Sequence, residues 1–136
     1  MSALTPLYTG VYNTLGAGTA LTALLGGTAI YKSQAPDGTP LPYVVYSLQA
    51  GGPENITKKT IENDLLFVRA YATNDAAARA IDDQVDILLR NKSITVTGYN
   101  NFCTFRTGDI DLPSMDTNGV ITACVGGLYR FRLSKA

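Results

Sequence analysis

The 136-residue chain contains no histidine, so the commonest general base and the commonest metal ligand are both missing. It has two cysteines, Cys103 and Cys124, too few for a disulfide framework. Neither has the cationic neighbours that would hold a thiolate, so inert core thiols suit the small and apolar residues around them better than a nucleophile and its resolving partner. Net charge is absent too. Eleven basic residues cancel eleven acidic ones, and with them goes the field that draws proteins to nucleic acid or anionic membranes. The most apolar window, Leu15 to Ile30, is broken by glycine and threonine and falls short of the ~20 residues of a spanning helix. No basic region precedes an apolar run at the N-terminus, as a signal peptide would require. These absences predict a cytosolic chain with reduced thiols, and the length predicts one domain over 1–136 that buries roughly two-thirds of its unfolded surface.

What is present reads as α+β. "TPLYTGVYNTL" predicts a helix capped by Thr5, with Pro6 in the first position and Leu7, Tyr8, Val11, Tyr12 and Leu15 on one face. Thr19 to Leu25 predicts a second, ended by Gly26-Gly27 in left-handed geometry. Pro36, Pro40 and Pro42 then stiffen a surface crossing that delivers Tyr43 to Gln49 into a strand, which "GGPEN" breaks. Thr57 to Ala72 alternates as a strand covered on both faces for part of its length. "NDAAARAIDDQVDILLRN" is the clearest helix, capped by Thr73 or Asn74, with Ala77, Ala78, Ile81, Val85, Leu88 and Leu89 as its apolar stripe. Its outer face is expected to carry the pairs Arg79–Asp83 and Asp86–Arg90. "NFCTFRTGDIDL" and "GVITACVGGLYRFRL" predict a long hairpin joined through "PSMDTN", with a bulge at Gly126-Gly127 and with Tyr129, Phe131 and Leu133 buried. A hairpin centred between Pro113 and Ser114 would set Cys103 opposite Cys124. The whole predicts a mostly antiparallel sheet with helices packed on one face and long β-hairpins.

No motif commits the chain to chemistry. "DIDLPSMD" gathers carboxylates that could hold a hard cation, but it lacks the EF-hand spacing and reads better as a solvated hairpin tip. Asp82, Asp83 and Asp86 read as a solvated helix face. "GAGT" and "GGT" lack the lysine and the strand-loop-helix setting of a phosphate loop, and helix ends explain them. No catalytic, cofactor-binding or metal-binding residue is assigned, and the chain reads as a non-enzyme. Eight tyrosines, four phenylalanines, the stiffened crossing and the long hairpins favour protein interfaces.

The N-terminal helix, the "ALLGG" helix end, "IYKSQAPDGTPLPYVVY", the strand and helix of "LLFVRAYATNDAAARAIDDQVDILL" and the closing "YRFRL" together resemble the tail-completion, or tail-terminator, proteins of long-tailed bacteriophages and related gene-transfer particles. The resemblance covers almost the whole chain. It implies a subunit of the virion tail, assembled in the host bacterial cytoplasm, that forms a hexameric ring, caps the tail tube and meets the head-side connector. DNA would pass such a ring without specific binding. Two alternatives stay open: a neck or head-completion protein of the same particle, and a cytosolic small-molecule binding domain, a monomer with a deep apolar pocket. Under the ring reading, Gln49 to Asn63 and Gly108 to Asn118 are turns that serve assembly. Glu54, Glu62, Asp109 and Asp111 would line the opening or meet Lys58, Lys59 or Arg130 of an adjacent copy.

Overall fold

The computed structural model describes residues 4–36, 38–54, 61–117 and 120–135. Three helices and five strands follow in the order α1 (Leu4–Gly16), α2 (Thr19–Leu25), β1 (Ile30–Lys32), β2 (Tyr43–Glu54), β3 (Ile61–Ala72), α3 (Asp75–Leu89), β4 (Tyr99–Thr117) and β5 (Val120–Lys135). The strands form one sheet in the order β1-β2-β3-β5-β4, antiparallel except where β1 runs parallel to β2. This is the expected α+β architecture. Among the described residues no helix is long and apolar enough to cross a membrane.

The core lies between one face of the sheet and all three helices. Leu7, Val11 and Leu15 bring α1 to it at helical spacing, Leu21 and Leu25 bring α2, and Ala78, Ile81, Val85 and Leu89 bring α3. Val44, Tyr46, Leu66, Val68, Ala70, Val125, Tyr129, Phe131 and Leu133 meet them from the sheet. The expected alternation in the last strand holds: Tyr129, Phe131 and Leu133 are fully buried, whereas Arg130 is exposed. Asn74 caps α3, its Oδ1 accepting from the Ala77 amide at 2.8 Å. Gly26 ends α2 at φ 74°, the left-handed geometry that its lack of a Cβ permits.

Several expectations are corrected. Thr5 and Pro6 lie inside α1, which already includes Leu4. "GGPE" does not end β2, because Gly51 to Glu54 pair with Asp64 to Ile61. "PSMDT" is not the connection of the last hairpin either, since Met115, Asp116 and Thr117 pair with Thr122, Ile121 and Val120. The last described pair of the hairpin is Thr117 with Val120. Cys103 therefore pairs with Arg132 and Cys124 with Leu112, and the two thiols are not opposed. Gly126 and Gly127 pair without a bulge, while the register shifts fall on β4, between Asn101 and Cys103, Arg106 and Gly108, and Leu112 and Met115. The segments 49–63 and 108–118, expected as turns, are largely paired strand, and residues 55–60 and 118–119 lie outside the described residues.

Candidate functional site

Arg106 anchors the most elaborate polar centre. The bulge at Thr107 falls between the pairs Arg106–Tyr129 and Gly108–Leu128, and it puts both Arg106 and Asp109 on the helix side of the sheet. There Arg106 grips Asp82 of α3 with two parallel bonds, Nη1 to Oδ1 at 3.1 Å and Nη2 to Oδ2 at 3.0 Å. It also donates to the Tyr129 hydroxyl at 2.8 Å, the Gly126 carbonyl at 3.1 Å and Asp109 at 2.7 Å. The Tyr129 hydroxyl donates in turn to Asp86 at 3.1 Å. Burial opposes the charge on Arg106, and the bonds to Asp82 and Asp109 outweigh it, so the guanidinium stays charged. Burial also pushes the Tyr129 hydroxyl well above its ordinary range. Gly127 is what leaves room: a Cβ there would stand 2.7 Å from the Arg106 Cζ. Every donor direction of this centre meets the protein's own acceptors. It is a clamp between α3 and the β4–β5 pair.

Asp82 was expected on a solvated face and is buried. The spacing of 78, 82, 85 and 89 follows one helical stripe, and that was the signal for it. Arg79 departs from expectation as well, pairing with Asp75 at 2.6 Å and Asp111 at 2.7 Å rather than with Asp83. Asp86–Arg90 forms as expected, at 3.1 Å.

The second centre lies on the other face of the sheet. Residues 33–36 and 38–42, with a cis Leu41–Pro42 peptide, cross this face and leave a solvent-open cleft of about 350 Å³ whose walls include Ser33, Pro36, Thr39, Tyr43, Arg69 and Tyr71. Tyr43 stacks on Tyr71 at 5.1 Å between ring centroids, and Tyr31 meets Tyr43 edge-on at 6.2 Å. Burial, together with the neighbouring Cys124 thiol, pushes the Tyr71 hydroxyl up to about 12. The Arg69 guanidinium lies near the rings of Phe67 and Tyr71, at 5.7 and 5.9 Å. Its Nε is buried and finds no acceptor among the described residues.

A third feature is the far end of the β4–β5 hairpin. β3 accompanies β5 only as far as the pair Ala72–Ala123. Beyond it, Met115 to Thr117 and Val120 to Thr122 pair only with each other among the described residues, as a two-stranded arm. β4, at 19 residues, spans about 60 Å at strand rise, whereas the 15 residues of α3 span about 22 Å. The helix layer cannot cover such a hairpin.

A long-hairpin sheet with one helix-covered face, and no enclosed reaction centre among the described residues, is what the family comparison meets. The family model described as tail completion protein gp17 matches residues 9–118. The chain belongs to the tail completion protein gp17 family. It is a structural component of a bacteriophage-type virion tail. A solved structure described as the virion of a native gene transfer agent particle superposes with a TM-score of 0.69 at 18% identity, covering 98% of each chain. A second solved structure gives 0.61 at 9% identity, over 98% of this chain and 96% of its own. At these identities the two likenesses speak for the fold. No curated protein matches the chain.

The residues expected to serve the tail assembly are dispersed. Glu62 is buried, 4% exposed, on the helix side of β3, which removes it from any ring opening that this conformation presents. Asp109 and Asp111 are exposed and already engaged by Arg106 and Arg79. Arg130 is exposed on the open face of the sheet, beside Phe105. Glu54 pairs through its backbone with Ile61, and Lys58 and Lys59 lie outside the described residues. Sequence reasoning missed Arg69, although it interrupts "LLFVRAYA" on the face of β3 that α3 leaves open.

Proposed function

We propose that this tail completion family member is a tail terminator: a ring, of six copies, that ends the tail tube and presents its other side to the head connector. The observation that best supports this is the two-stranded arm beyond Ala72 and Ala123, because a two-stranded ribbon is marginal in water and gains order from a neighbour. Asp109, Asp111 and Arg130, with Glu54, Lys58 and Lys59, are the proposed contacts along the hairpins, and the balance of charge lets DNA pass without adhering. No catalytic step belongs to this role.

Solution mass followed by negative-stain imaging, with and without isolated tail tubes, tests it. Rings of six subunits, free at high concentration or formed on the tubes, are expected. A strictly monomeric protein that also leaves tubes uncapped contradicts the reading. Rings that bind connectors but not tubes favour a neck protein.

A further inference from the structure

We propose that the cleft beneath the 33–42 crossing receives the Asp83 carboxylate of a second copy as the counter-ion of Arg69, joining subunits head to tail. This rests on the ring reading and names its contact. Arg69 carries a permanent charge. Among the described residues its buried Nε has no acceptor and it forms no hydrogen bond or ion pair, lying instead near the rings of Phe67 and Tyr71. Buried donors are rarely left in that condition. The cleft above it has room for a carboxylate and its stem, and Ser33 and Tyr43 at its walls add hydroxyls suited to a carboxylate's remaining lone pairs.

The chain holds one matching group among its described side chains. Asp75, Asp82, Asp86, Asp109 and Asp111 are paired with arginines, Asp64 is buried, and Glu62 is engaged. Asp83 is exposed and has no partner among the described residues. One turn further along α3 stands Ile87, 61% exposed, an apolar neighbour for the same contact.

The placement decides the geometry. Leu66, Val68 and Ala70 of β3 point to the helices, so Arg69 faces the opposite way, while Asp83 lies on the far side of α3. One copy cannot bring them together. Two copies can, through unlike surfaces on opposite sides of the molecule, and such a contact repeats around a ring or along a filament. The stiff crossing then has a use: a cleft wall with little freedom to lose on binding.

Assembly is read by mass photometry at a concentration where the wild type forms rings. R69E and D83R should each reduce the assembled fraction about tenfold or more. An equimolar mixture of the two should recover rings of alternating composition, since each contact then joins unlike charges. R69Q, D83N and their double variant cover the case in which R69E fails to fold, and the double should then assemble no worse than either single. D37N, within the crossing, should change nothing. If the wild type forms rings and D83R does too, or the mixture recovers nothing, or D37N alone breaks assembly, the Arg69–Asp83 contact is wrong while the ring stands. If the wild type forms no ring even on tail tubes, the ring reading fails, and this contact with it.

Discussion

Asp82 and Arg106 meet where their side chains are only 11 and 7% exposed, and neither charge could stay there alone. Removing Asp82 takes away the bidentate partner and leaves Arg106 to Asp86 and Asp109, so Asp82→Ala should cost about 1.5–3 kcal/mol in urea unfolding. Asp75→Ala breaks an ion pair exposed on both sides and should cost less than about 1 kcal/mol. Asp64 makes the pH prediction. It is 2% exposed on the helix side of β3, and burial first, then Glu62 two residues away, pushes its carboxyl up to about 6. Unfolded, it loses its proton near the ordinary carboxylate value of about 4. Between those values the native state holds more protons, so the contribution is full below about pH 4 and is lost as the pH rises through about 6. Asp64→Asn should flatten that decline and add up to roughly 2–3 kcal/mol at pH 7.5. A decline that persists in the variant would place its origin elsewhere. At this scale the sequence was legible where a residue acts on its own neighbours, as Asn74 does in capping α3. It was opaque where the partner lies far along the chain, as Arg106 does for Asp82.

The helices were legible as elements because burial repeats at their own period, and because Gly26 and Asn74 mark ends with local chemistry. The long hairpin was legible in existence and not in register. Each of the three shifts on β4 changes which residues face each other, and the one at Thr107 carries Arg106 and Asp109 to the same side. Among the described residues the arm that results pairs only with itself. Closing the hairpin with a two-residue turn directly after Ser114 and before Ala123, which keeps the Ala72–Ala123 pair, should shift the thermal midpoint by less than about 3 °C and abolish ring formation. Unfolding of the shortened protein, or normal assembly by it, would show that the arm has a different purpose.

Across the whole molecule, one face of the sheet is spent on the core and the other is left to tyrosines, arginines and the proline crossing. That division, together with family membership, is what assigns the protein to the tail. The deep apolar pocket expected of a small-molecule binder is not among the described cavities, which open to solvent. The most direct measurement of the proposed role images isolated tail tubes after incubation with gold-labelled protein. The account predicts label at one end of each tube, with mass for six copies, and tubes that no longer extend when tube protein is added. Label scattered along the tubes, or tubes that go on growing past the labelled end, would contradict it.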